Sequence, residues 1–145
     1  MTSEATLQQT LVSTLRGCFP EFVLVLSLSG TQLRGTAAQK AQVIAEWERQ
    51  GWVRGIFDLQ ILMPGGKLLN LELKKPSGGK QSPDQVDMQN NLEAIGHNYH
   101  LIRDIPHVMS LIADNTTLTY RQLMYDQFGS KLPLPQDLIK IYYGL

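Results

Sequence analysis

Apolar residues Leu7, Leu11, Val12 and Leu15 recur at helical spacing behind Ser3, a good N-cap, and the pattern breaks at Gly17. Glu4 falls in the first turn of that predicted helix, where a carboxylate favours the helix dipole. Residues 22–28 form a β run, and residues 30–35, with Arg34 among them, form a loop. Thr36 is placed to cap a helix over residues 37–50, with Ala41, Ile44, Ala45 and Trp47 on or near its apolar side and Gly51 at its end. Two apolar runs follow, residues 56–63 and 68–73, separated by Pro64-Gly65-Gly66-Lys67, which predicts a β-hairpin. Ser82-Pro83-Asp84-Gln85 is a strong helix start: cap, proline at the first helical position, an acid, and a glutamine three after the cap. That helix continues through Val86, Met88, Leu92 and Ile95 to Gly96. Residues 99–103 read as a strand, residues 105–113 as a short helix, and the tail carries helices opening at Thr119 and covering residues 136–143. Strand, crossover helix and strand over residues 68–103 make a βαβ unit, so its two strands are predicted to be parallel. The whole order predicts an α/β protein, a mixed central sheet flanked by helices.

Polar side chains stand in the hairpin where a purely structural strand would carry Val or Ile: Asp58 in the first run, Glu72 and Lys74 in and just after the second. Residues two apart on a strand share a face, so Glu72 and Lys74 project side by side. A Glu-x-Lys pair alone is usually a solvated ion pair of little worth. Asp58 changes the picture, because Ile56, Leu59 and Ile61 predict a buried strand on which an idle carboxylate is costly. Two acids and a lysine on one face make a divalent-metal site suited to phosphodiester hydrolysis. Register decides whether they meet. A two-residue Gly65-Gly66 turn would set Asp58 opposite Leu73 and put the acids on opposite faces, so a shared site requires an odd-length loop or a bulge.

Composition narrows the classes. At 145 residues the chain fits a single domain with a real core. Its 13 basic and 13 acidic residues balance, which gives no global nucleic-acid signature, although a local basic groove is compatible with zero net charge. Lys67, Lys74, Lys75 and Lys80 supply such a cluster. Cys18 is the one cysteine, so an intrachain disulfide or cysteine-based zinc site is excluded. The first residues lack a signal-peptide pattern, and residues 22–26, the longest apolar stretch, are too short to span a bilayer. The expectation is a soluble intracellular protein of a bacterial or phage-infected cytoplasm. His97-Asn98-Tyr99-His100 superficially resembles an HNH nuclease motif but reads as the approach to a strand, and no Walker loop or Ser/His/Asp set is present.

The ordered set Glu4, Gly55-Ile56-Phe57-Asp58, Glu72-Leu73-Lys74, Gly78-Gly79 and Ser82-Pro83-Asp84-Gln85 resembles the PD-(D/E)XK nuclease superfamily, and within it the VRR-NUC family of virus-type replication and repair nucleases. The resemblance spans about residues 3–112, and Phe57 stands where the superfamily name has proline. It implies a restriction-endonuclease-like core over residues 1–115, with residues 116–145 as a helical extension. It also implies a Mg²⁺- or Mn²⁺-dependent endodeoxyribonuclease. Asp58, Glu72 and the Leu73 carbonyl would bind metal, with Glu4 completing the shell. Lys74 would position or activate the attacking water, and Gln85 would support the site. Lys75, Lys80, Ser82 and Arg34 are the expected DNA contacts, Ser82 through the amides of its helix start.

The leading expectation is a structure-selective enzyme of replication, recombination or repair that cuts branched DNA such as four-way junctions. It would act as a homodimer through tail residues Tyr120, Leu123, Met124, Tyr142 and Tyr143. Alternatives are a restriction-like or nicking nuclease on linear duplex, and a non-catalytic DNA-binding module in which the acids and lysine are structural.

Overall fold

The computed structural model describes residues 3–18, 24–28, 33–63 and 66–114. The expected tail helices and the proposed dimer-forming residues lie outside these, as do the start of the first β run, part of the loop at 30–35 and the Pro64-Gly65 pair. Four helices and four strands are described, in the order α1 (Glu4–Cys18), β1 (Leu24–Ser27), α2 (Ala37–Arg49), β2 (Leu59–Met63), β3 (Lys67–Leu73), α3 (Pro83–Ala94), β4 (His100–Ile102) and α4 (Ile105–Asp114). The sheet has the order β1-β2-β3-β4. β1 and β3 run antiparallel to β2, and β4 lies parallel to β3, as the crossover through α3 predicts. The mixed α/β class expected from the sequence is the class observed.

Local chemistry accounts for the helix starts. Thr36 and Ser82 both accept the amide of the glutamine three residues on, Gln39 and Gln85. Each glutamine side chain returns a bond to its cap amide, closing a capping box. Side-chain alternation then divides the sheet. Leu59, Ile61, Met63, Leu69, Leu71, Leu73 and Ile102 pack on one face with Leu7, Leu11 and Leu15 of α1 and Val108, Met109 and Ile112 of α4. Burying each such side chain contributes about 1.5–3 kcal/mol. The opposite face carries the polar side chains: Gln60, Asn70 and Glu72 lie along it with Leu62, Leu68 and Leu101, followed by Lys74 beside the start of α3.

Two expectations are corrected. The first apolar run does not pair from residue 56: β2 begins at Leu59, so Asp58 stands just ahead of the strand rather than within it. α2 buries none of its residues, so its apolar side lies outside the core despite an amphipathic pattern. No described helix is long and apolar enough to cross a membrane.

Candidate active site

The hairpin register brings the acids together. Met63 pairs with Lys67 and Leu59 with Leu71, so three residues join the strands and continued pairing sets Asp58 opposite Glu72. This is the odd-length connection that a shared site requires. The ladder then stops for a chemical reason. Leu73, which continued pairing would set opposite Phe57, donates its amide to Asp58 Oδ2 at 2.7 Å. The Asp58 amide itself donates to the Leu71 carbonyl at 3.0 Å. The carboxylate thus replaces a backbone carbonyl and is anchored at the open end of the hairpin.

Glu72 is 1% and Lys74 7% exposed, an unusual depth for either residue type, and both are held by α3. Gln85 Nε2 donates to Glu72 Oε1 at 2.6 Å. Gln85 Oε1 accepts from the Lys74 ammonium at 3.0 Å and from the Ser82 amide at 2.9 Å. Two donors on the carbonyl oxygen fix the amide's orientation and turn its nitrogen towards Glu72. Lys74 Nζ is also 3.5 Å from Glu72 Oε1. One glutamine therefore caps a helix and locks an acid–lysine pair.

Glu72 Oε2 is buried and without a hydrogen-bond partner among the described residues. Burial, then the neighbouring Asp58 charge, push the Glu72 carboxyl up to about 8, against the opposing pull of Lys74. Burial likewise raises Asp58 above the usual carboxylate range, although the Leu73 amide counteracts it. The Glu4 charge pushes both in the same direction. Two facing carboxyls that resist ionising together, with one oxygen orphaned, have the chemistry of a site completed by a cation.

The predicted residues do not all converge. Asp58, Glu72, Lys74 and Gln85 form one patch, with Leu73 anchored to Asp58. In a strand a residue's amide and carbonyl point to the same side, so the Leu73 carbonyl faces the side of Asp58. Glu4 influences the patch through its charge, yet no three His, Cys, Asp or Glu side chains among the described residues are grouped to hold a metal. Lys75 and Lys80 are exposed on the loop after Lys74. Arg34 is exposed ahead of α2, with no hydrogen bond or ion pair to the site among the described residues. Ser82 is committed to its capping box through both amide and hydroxyl, so those groups are already bonded within the chain.

Three residues were missed from the sequence or only half seen. Phe57 is buried edge-to-face against Tyr99, with ring centres 6.5 Å apart, walling the site beside Asp58. Tyr99 accepts from Gln81 Nε2 at 3.2 Å, and burial pushes its phenol up to about 12. Arg103, one residue past β4, bonds the loop that follows Lys74. Its place beside the end of β3 in the predicted βαβ unit was the available signal.

No protein-family model and no curated protein matches the sequence. Two solved structures resemble this one. The first, named "VRR_NUC domain", has a TM-score of 0.54 and is 21% identical over 80% of this chain and 100% of that one. The second, named "VRR_NUC domain protein", has a TM-score of 0.52 and is 19% identical over 85% of this chain and 91% of the other. The protein is thus an α/β domain with a mixed sheet, one face of which bears the carboxylates. Its fold is that of VRR_NUC domains, in agreement with the resemblance carried by its ordered motifs.

Proposed function

We propose that this chain is a divalent-metal-dependent nuclease that hydrolyses DNA phosphodiester bonds. The observation that carries the reading is the constellation of Asp58, Glu72, Lys74 and Gln85, in which Glu72 and Lys74 are buried and one Glu72 oxygen is orphaned among the described residues. The donor set fits Mg²⁺ or Mn²⁺, which take oxygen ligands and need only one or two carboxylates besides waters and substrate phosphate. Asp58 and Glu72 would hold the ion, with the Leu73 carbonyl, and Glu4 would add negative charge nearby. Such an ion supplies Lewis-acid neutralisation of phosphate charge and lowers the pKa of water.

The chain's own groups do the rest. Lys74 is the cation beside Glu72, placed to orient the attacking water and to stabilise negative charge developing on the phosphate. Gln85 keeps the Lys74 and Glu72 heads in one arrangement, so little reorganisation is needed at reaction. Asp58, held by the Leu73 amide, has lost rotamer freedom beside Glu72. Lys75 and Lys80 supply positive charge for the DNA backbone, and the balanced overall charge implies modest, salt-sensitive affinity.

The finer reading follows the VRR-NUC resemblance: an endonuclease selective for branched DNA such as four-way junctions, acting as a homodimer in replication, recombination or repair. Gel cleavage of a labelled junction and a matched linear duplex tests it, with Mg²⁺, Mn²⁺, Ca²⁺ or EDTA. The expected result is junction cutting with Mg²⁺ or Mn²⁺, abolished by EDTA and by Lys74→Ala. Equal cutting of both DNAs would remove the selectivity, and sedimentation as a monomer on DNA would remove the paired-cut model. Binding without cutting by a folded wild type, in every metal, would sink the enzyme reading in favour of a binding module.

A further inference from the structure

We infer that Arg103 is a positioning residue for Lys74, acting through the loop that follows Lys74 rather than on DNA. The inference rests on the nuclease reading for its consequence in catalysis, but its structural content stands independently. β3 and β4 run parallel with Leu73 beside Ile102, and the Lys74 amide donates to the Ile102 carbonyl at 2.9 Å. Lys74 and Arg103 are therefore the first residues past two adjacent strand ends. There the chain after Lys74 enters Pro76-Ser77-Gly78-Gly79, a composition with no regular structure to hold it.

Arg103 supplies the hold. Its Nη1 donates to the Lys75 carbonyl at 2.9 Å and its Nη2 to the Gly79 carbonyl at 2.7 Å. One rigid fork thus closes both ends of the loop, which a single-point ammonium could not reproduce. The closure has a target. A Cβ built on Gly79 would lie 3.4 Å from Lys74 Cβ and 3.5 Å from Lys74 Cδ, ordinary contact distances, so Gly79 lies alongside the lysine stem. A lysine side chain has four flexible torsions and loses substantial rotamer entropy when fixed. Gln85 and Glu72 hold the Lys74 head, and the Arg103-clamped loop holds its stem. Both terminal nitrogens of Arg103 are engaged with the protein's own carbonyls, an arrangement that serves the loop rather than a phosphate.

The test compares the wild-type 145-residue chain with Arg103→Ala and Arg103→Lys by three readouts: melting temperature, acetylation rate of the Lys74 amine by peptide mass mapping, and cleavage kinetics with Mn²⁺. If Arg103 positions Lys74, the alanine variant acetylates Lys74 several-fold faster and loses about tenfold in kcat, with KM for DNA and its salt dependence unchanged. The lysine variant, able to reach one carbonyl at a time, falls between. Should Arg103→Ala not fold, Arg103→Lys carries the same comparison. Unchanged Lys74 acetylation in folded variants overturns the inference. A raised KM with a salt slope shallower by about one also overturns it and assigns Arg103 to the DNA. If the wild type cuts no DNA, the nuclease reading fails, and the acetylation rates still decide whether Arg103 holds Lys74.

Discussion

Gly55 sets the distance between the Asp58 segment and α3, and replacing it with alanine tests the site's architecture. Its φ is +75°, and an added Cβ would meet the Asp84 carbonyl oxygen at 2.3 Å, the Asp84 carbonyl carbon at 2.5 Å and the Gln85 nitrogen at 2.9 Å. All three are backbone atoms at the start of α3, so no side-chain rotation relieves the clash. An L-residue in the left-handed region costs about 1–2 kcal/mol. Restoring ordinary contact at ~3.5 Å requires the helix start to retreat by roughly 1 Å. Gln85 rides on that turn, and its 2.6 Å bond to Glu72 and 3.0 Å bond to Lys74 would stretch beyond hydrogen-bonding reach or be strained. A buried hydrogen bond to a charged group is worth about 1.5–3 kcal/mol. Gly55→Ala should therefore destabilise the fold by roughly 2–4 kcal/mol. A displacement of that size should lower cleavage by on the order of 10²-fold. Urea unfolding followed by tryptophan fluorescence measures the first number. Gly51→Ala is the internal control: Gly51 has φ +104° but nothing within 4 Å of the added Cβ, so it carries only the conformational cost. Equal losses for the two variants, or a Gly55→Ala loss below about 0.5 kcal/mol, would refute the close-approach argument.

Two further outcomes follow from the carboxylate pair. Because the folded-state pKa of Glu72 is raised from 4.5 to about 8, its neutral form favours the fold, fully so below 4.5, and that stability is lost as pH rises through about 8. Metal-free wild type should thus lose melting temperature across this window more steeply than Glu72→Gln. The stabilisation by added Mn²⁺ should grow over the same range as the proton leaves, and parallel curves for the two proteins would contradict the assignment. Asp58→Asn should abolish cleavage yet raise metal-free stability at pH 8 by on the order of 1 kcal/mol, because it removes the like charge beside Glu72 while its side-chain oxygen still accepts the Leu73 amide. A thermal melt showing the Asp58→Asn variant less stable than wild type would count against charge repulsion as the dominant effect.

The helices were legible in the sequence because their signals are short-range. Ser82-Pro83-Asp84-Gln85 and Thr36 with Gln39 cap within one turn, and the Leu7–Leu11–Leu15 stripe repeats within one helix. The hairpin and its parallel partner were legible too, since alternation and the crossover rule leave few arrangements open. Counting residues posed the register question but could not answer it, because a slip of one residue exchanges the two faces of a strand. Tertiary structure placed Asp58 opposite Glu72, ended the ladder on a carboxylate, and left the amphipathic α2 without a buried residue. It also revealed what Gly55 approaches, how Gln85 serves as cap and clamp at once, and that Arg103 closes the loop behind Lys74. Those contacts join residues 24 and 28 positions apart at Arg103 and 13 apart at Gln85 and Glu72. Local propensity carries no information over such separations: which distant groups meet is set by how the sheet and helices pack, and the site exists only where that packing brings them together.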